Sequence, residues 1–289
     1  MINIEKIHDD GKTLCELHCH TNFSHGKKIF HDGLDDPKDM VRHASSIGLN
    51  AVAITDHDTI EGALKAKRVE KKYGIEVIIG EEVSCKDGHI LAYGIQELVR
   101  PGLGIDETLD NIHEQGGIAI ASHPFDIRGC GLKELAGKCD AIEIFNAISI
   151  DRITNFKCRA FAEKKRMPFI AGSDAHHKSM MGYGMTVVNS NDNVLKAIKK
   201  GRVEIFTKYT PVNIFVFYAV NRLKLSYDET IAYMEKNYIR PKLFLGKKLL
   251  TLVEKSPGRI DKLFNFFAYI GLGAVVTYEI SRELANRVF

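Results

Sequence analysis

The apolar positions of this chain alternate between two periods. Short, nearly continuous apolar runs at Leu14–His20, Ala51–Thr55, Ile75–Ile79, Ile118–Ala121, Ala141–Phe145 and Phe169–Ala171 read as buried strands. Amphipathic stretches lie between them. Asp36 reads as an N-cap with Pro37 at the first helical position, and that helix runs to Ile47, stopped by Gly48. Further helices are expected from about Ile60 to Lys72 before Gly74, from Asp106 to Glu114, near Leu132–Leu135 and from Asp151 to Lys165. His89–Ile95 reads as the return arm of a hairpin turning at Asp87-Gly88, and Met185–Val188 with Asn193–Lys200 forms a last strand–helix unit. Strand–helix units with short links predict an α/β chain built as a parallel barrel or a doubly wound sheet over residues 1–205. From residue 206 to 289 the pattern is different. Pro211–Leu223, Asp228–Lys236, Arg240–Lys255 and Arg259–Phe289 read as a helical extension.

Composition narrows the class. With 45% hydrophobic and 27% charged residues in 289, the chain is neither disordered nor fibrous. The net charge of +3 is unevenly spread: residues 1–205 carry 27 basic and 30 acidic side chains, and residues 206–289 carry 13 and 7. The six cysteines show no paired spacing, and the Met-Ile-Asn-Ile-Glu start lacks the pattern of a signal peptide, so a reduced, cytoplasmic chain is expected. Cys19 reads as core. Leu263–Tyr278 is a run of 16 residues without formal charge, short of the roughly 20 needed for a comfortable membrane span. It is read first as a helix buried against the barrel or in a homo-oligomer interface, and second as a peripheral membrane contact.

The chemistry lies at the strand ends. His18 and His20 close the first strand, and Asp56 and His57 the next. Glu82 follows Ile75–Ile79, His123 follows Ile118–Ala121, and Asp174 and His176 follow Phe169–Ala171. In a parallel barrel those ends form the mouth, where active sites are built. A single histidine there is more often structural than a ligand. A convergent set of imidazoles and carboxylates would repel itself or pay for burial unless a divalent cation held it. Glu143 and Asn146 end another strand at the same mouth and read equally as supporting groups or as a buried pair bonded to backbone. His8, His31, His43, His113 and His177 read as incidental.

His18-Cys19-His20-Thr21, Ser24-His25-Gly26, Ile54-Thr55-Asp56-His57-Asp58-Thr59, Gly80-Glu81-Glu82-Val83-Ser84, Ser122-His123-Pro124 and Gly172-Ser173-Asp174-Ala175-His176 together resemble the motifs of the polymerase and histidinol phosphatase (PHP) family, in the family's order. The resemblance covers roughly residues 13–205. It implies a distorted (βα)7 barrel with two to three divalent metal ions, of the Zn, Mn or Fe type, hydrolysing phosphate esters. It also implies that His18, His20 and Asp174 hold one ion, that Glu82 bridges to a second held by His123 and His89, and that His57, His176 and position 25 hold a third. Many relatives have Asp at that last position, where this chain has His25. Glu81 is expected to face away from the metals.

A metal-activated hydroxide attacking phosphorus requires no serine or cysteine nucleophile. Asp56 is expected to orient His57 or to shuttle a proton, and Arg128 to bind phosphate, ahead of Lys27, Lys28 and Lys178. The expected function is hydrolysis of small phosphate esters or nucleotides. The alternatives are a nuclease whose basic tail grips nucleic acid, a histidinol phosphatase, and a metal-binding module without activity. On this reading catalysis depends on the barrel alone, and the tail serves assembly or attachment.

Overall fold

A computed structural model describes residues 11–288 apart from 27, 150 and 190, with side chains to Tyr278 and at Ser281. His8 and Lys27 lie outside the described residues. The barrel is laid down by β1 (Lys12–Cys19), β2 (Ala51–Ile54), β3 (Glu76–Ser84), β4 (His89–Tyr93), β5 (Ile118–Ala121), β6 (Ala141–Asn146) and β7 (Phe169–Gly172). β8 (Gly184–Asn189) and β9 (Glu204–Thr207) then extend the sheet beyond β1, giving the order β7-β6-β5-β4-β3-β2-β1-β8-β9. Closure comes from the chain just past β7. Ala175 bridges Cys19, His20 N–H donates to the Ala175 carbonyl (2.8 Å), and Ala175 N–H donates to that of His18 (3.1 Å).

One hydrophobic cluster shows that the sheet wraps around an interior. It gathers Cys15 and Leu17 from β1, Ala51 and Ala53 from β2, Leu91 and Tyr93 from β4, Ile120 from β5, Ile170 from β7 and Val188 from β8. Only the inside of a rolled sheet brings so many strands to one core. The opposite face of β2, Val52 and Ile54, packs on Met40, Val41 and Ala44 of helix α1 (Pro37–Ser46) and on Ala63 and Ala66 of α2 (Glu61–Lys67). Asp36 caps α1 as expected, its carboxylate accepting from Lys38 N–H (2.9 Å).

The structure modifies the expected parallel barrel in defined places. β1, β2 and β3 are parallel, as are β5, β6 and β7, but β4 runs antiparallel to both neighbours because a tight hairpin at Asp87-Gly88 replaces the crossover helix. β8 and β9 are also antiparallel. The helix expected over 60–72 splits into α2 and the short α3 (Glu70–Tyr73), since Val69 N–H turns to the Ala66 carbonyl (3.1 Å) and its side chain packs on the core. Glu204–Thr207, not foreseen as a strand, pairs with β8, so a boundary at residue 205 falls inside β9.

α4 (Ile105–Glu114), α5 (Ile153–Lys165) and α6 (Val194–Lys199) complete the barrel half, and the tail forms α7 (Val212–Leu225), α8 (Tyr227–Asn237), α9 (Arg240–Val253) and α10 (Ile260–Val288). α7 packs along α10 and α9 through Val212, Val216, Val220, Val253, Phe264, Ala268 and Leu272. Tyr218 of α7 joins the barrel's own core.

Candidate metal centre

The pairing of β1 with β2 shifts register between Glu16 and Cys19, an irregularity of the kind that re-aims side chains beside active sites. Just beyond it the His18 and His20 rings converge, their centroids 5.2 Å apart, while Cys19 turns to the core and lies against the Ala53 carbonyl. The expected sharing of a face by these two histidines therefore holds. β3 runs on past Ile79 and carries Glu82 within the strand, where Glu82 bridges His57.

Glu82 is the hub. Its Oε2 lies 3.3 Å from Nε2 of both His18 and His20 and 3.4 Å from Nδ1 of His57. Its Oε1 lies 3.0 Å from His89 Nδ1 and 3.2 Å from His123 Nε2, and accepts from the Ser122 hydroxyl (2.9 Å). His89 reaches this place because β4 is antiparallel, which brings the strand's first residue to the same mouth as the ends of its neighbours. Asp174 is the second centre, with Oδ1 3.5 Å from His18 Nε2, 3.3 Å from His20 Nε2 and 3.4 Å from His176 Nδ1. His123 and Asp174 both adopt positive φ, 28° and 51°, the kind of backbone strain that collects at functional sites.

Burial works against ionising these carboxyls. Even so, His57, His18 and His89 hold Glu82, and His18, His176 and His20 hold Asp174, well below the usual carboxylate range. Burial likewise opposes charge on His20, but Asp174 and Glu82 lift it to about 10. At His57 burial prevails and brings the ring down to about 4. Glu81 faces the other way. One oxygen accepts from Val99 N–H (2.9 Å), and burial pushes the carboxyl up to about 8.

A supporting layer fixes the ligand atoms. Glu143 lies 2.8 Å from His18 Nδ1 and accepts from His123 N–H (2.9 Å), which turns the His18 Nε2 lone pair toward Glu82 and Asp174. The Asn146 amide donates to Glu143 (3.2 Å) and to Asp174 (3.1 Å). Gly172 is required beneath them, because a Cβ there would stand 2.5 Å from His18 Cβ and 2.6 Å from Glu143 Oε1.

Position 25 corrects the sequence expectation. His25 is exposed and stacks on Phe30 (4.3 Å between centroids), because Ser24 takes the inward place, its hydroxyl 3.3 Å from His20 Nδ1. A carboxylate does reach this side of the cluster, from Asp32, seven residues on. Its Oδ2 lies 3.0 Å from His176 Nε2 and 3.7 Å from His57 Nε2, and accepts from Ser24 Oγ (3.1 Å). Oδ1 pairs with Arg222 Nη2 of α7 at 2.5 Å, while Arg222 Nε donates to the His31 carbonyl (2.8 Å) and Tyr218 OH to that of Asp32 (3.1 Å). His31 N–H is held by Ser226 Oγ (2.8 Å). The tail therefore fixes the loop that carries Asp32.

Two other expected residues are engaged elsewhere. Asp56 turns to Thr21, accepting from its N–H (2.5 Å) and its hydroxyl (2.7 Å), and so braces the loop after β1 rather than His57. Arg128 is half exposed and paired with Asp126 through Nε (2.9 Å) and Nη2 (2.8 Å). Lys178 pairs with Asp35 (3.1 Å), and His177 lies against Ser179 and Phe217, outside the cluster.

The donor set fits divalent cations. His18, His20 and Glu82; His20, Asp32 and His57; His20, Asp174 and His176; and His57, Glu82 and His89 each bring three ligand atoms within 4.8 Å of one another. Buried His20 Nε2 and His57 Nδ1 face these carboxylates without making a hydrogen bond. Soft-edged imidazoles with hard carboxylates, at the C-terminal mouth of a barrel, define a metal-binding α/β-barrel protein.

The comparisons narrow this class. The PHP domain model matches residues 16–126 and the PHP-associated model residues 152–203. An uncharacterized protein of Methanocaldococcus jannaschii is 38% identical over 146 residues, 48% of this chain and 85% of that one. The chain belongs to the PHP family. A 5'-3' exoribonuclease of Haemophilus influenzae is 41% identical over 69 residues, 24% of this chain and 23% of the exoribonuclease. A Bacteroides vulgatus two-domain protein containing a predicted PHP-like metal-dependent phosphoesterase aligns with TM-score 0.55 and 19% identity, covering 68% of this chain and 65% of that one. That structural likeness is one of fold.

Proposed function

We propose that the chain is a metal-dependent hydrolase of phosphate esters, acting on small esters or nucleotides with two to three divalent ions of the Zn, Mn or Fe type. The observation that carries this reading is Glu82, a buried carboxylate within 3.0–3.4 Å of five imidazoles. His18, His20, Glu82 and Asp174 would hold a first ion and Glu82, His89 and His123 a second. His57, His176 and Asp32 would hold a third. Cations bound there would supply Lewis-acid chemistry, neutralising phosphoryl oxygens and making a water more acidic. Glu143 presents His18 in the ligating tautomer, Ser122 holds Glu82, and Asn146 holds Asp174. Because Arg128, Arg222 and Lys178 each already pair with a carboxylate, the charge of the phosphoryl group falls to the cations.

The exoribonuclease relative favours a second reading, a nuclease, with the basic tail drawing in the phosphate backbone. The test is a panel of chromogenic monoesters, diesters, nucleotides and a single-stranded oligonucleotide, run with protein reconstituted in Mn, Zn or Fe. Turnover of small esters with little salt dependence supports the first reading. Turnover confined to the oligonucleotide and falling steeply with salt supports the second. No turnover by protein shown to be metal-loaded would overturn both.

A further inference from the structure

Apolar surface is concentrated in the tail. Among the described residues, five large hydrophobic side chains before residue 206 are exposed, and thirteen after it. Seven of the thirteen lie on α10: Leu263, Phe266, Phe267, Tyr269, Ile270, Val275 and Tyr278. At about 100° per residue all of these but Val275 spread over an arc of roughly 180° along one side of the helix. The opposite side, with Phe264, Ala268 and Leu272, packs on α7. A surface helix ordinarily shows charge on its outer face. Here residues 263–278 carry none, so the helix is apolar on the side it buries and on the side it shows.

The charge sits beside this face. Residues 240–262 hold seven basic side chains, Arg240, Lys242, Lys247, Lys248, Lys255, Arg259 and Lys262, against two acidic ones, Glu254 and Asp261. Lys242 Nζ lies 4.0 Å from the Tyr238 ring centre and Lys248 Nζ 4.5 Å from that of Phe244, next to exposed Leu245 and Leu249. Ammonium groups lying over aromatic rings beside exposed apolar side chains suit the boundary between acyl chains and head groups. A second copy meeting this face would set two such basic segments against each other, whereas an anionic surface neutralises them.

We infer that α10 and the basic segment before it seat the protein on an anionic lipid surface, with α10 lying in the head-group layer. It lies there rather than spans. By length and composition Ile260–Tyr278 could cross a membrane, with mean hydropathy 1.3 in an 18-residue window and no residue of it fully buried, but Phe264, Ala268 and Leu272 pack against α7. The inference does not depend on the catalytic reading.

The test is flotation of the full-length, metal-loaded protein with phosphatidylcholine vesicles, with and without phosphatidylglycerol. Binding is expected to the anionic vesicles, about tenfold or more above the neutral ones, and to weaken as salt rises. The triple substitution Phe266→Ser, Phe267→Ser and Ile270→Ser should lower vesicle binding about tenfold or more with the melting temperature unchanged, since these side chains are exposed. K242E with K248E should lower only the anionic preference. No binding to either vesicle overturns the inference. So does a lipid-free dimer that the triple substitution disperses, which would assign the face to a second copy. A large fall in melting temperature for the triple variant would show that the face packs within the protein.

Discussion

At the barrel mouth, charged side chains lie out of water; on α10, apolar side chains lie in it. The two regions show how differently a burial cost is met. Glu82 and Asp174 are almost wholly buried, yet each is surrounded by imidazoles, and Glu143 and Asn146 orient His18 and Asp174 in turn. Such a cluster is stable only as a unit, because removing one member leaves the rest as unpaired buried charge. The exposed side chains of α10 answer to no partner within the chain and act through area rather than geometry. Damage at the mouth should therefore be local and severe, and changes on α10 spread out and mild.

The largest expected effect is at the hub. Glu82→Gln removes the charge shared by five rings and should lower turnover by about a thousandfold or more, with loss of bound metal by elemental analysis. Survival of both activity and metal would break the description of the mouth as one unit. Chelation is next. If the ions bind at about a hundred times their dissociation constants, their removal should cost about 2.7 kcal/mol of stability, read as a lower melting temperature, while the helical circular dichroism of the tail persists below the transition.

Asp32→Asn should lower metal content and activity by about ten- to a hundredfold, the range for a displaced ligand or its orienting partner, while His25→Ala stays within about twofold. The reverse result would return position 25 to the site. Arg222→Ala tests the ion pair that joins tail and mouth. It leaves a buried carboxylate oxygen without its cation and should cost about 1–3 kcal/mol in denaturant unfolding, together with a several-fold fall in turnover. An unchanged rate would restore the expectation that catalysis needs the barrel alone. The smallest effect is at Glu81, where Glu81→Gln should keep turnover within about twofold, because that side chain faces Val99.

What could be read from the chain was local. A histidine or carboxylate after an apolar run marks the barrel mouth; alternation says that only one of Glu81 and Glu82 can face it, and the family resemblance points to Glu82. The hairpin at Asp87-Gly88 was legible too, and with it the arrival of His89. Asp32 was not. It sits in an irregular loop whose course is set by Tyr218, Arg222 and Ser226, nearly two hundred residues away, and no periodicity carries that information. The partners of Asp56 and Arg128 were hidden for a related reason: position at the mouth is visible in sequence, but Thr21 and Asp126 as neighbours are not. β9 escaped because its four residues, Glu204–Thr207, mix charged and apolar types on a sheet edge. The tail helices could be drawn from the pattern, whereas the insertion of α7 into the barrel's core could not.

The carboxylate of Asp32 has two oxygens that face different neighbours, His176 on the barrel side and Arg222 on the tail side. This makes it a point of thermodynamic exchange. A cation at His57 and His176 and the docking of α7 both act on Asp32, so whatever free energy couples them is reciprocal: the docking of α7 changes the affinity for that cation by as much as the cation changes the docking of α7. Metal affinity compared with and without Arg222→Ala, and tail docking compared with and without metal, therefore read the same coupling.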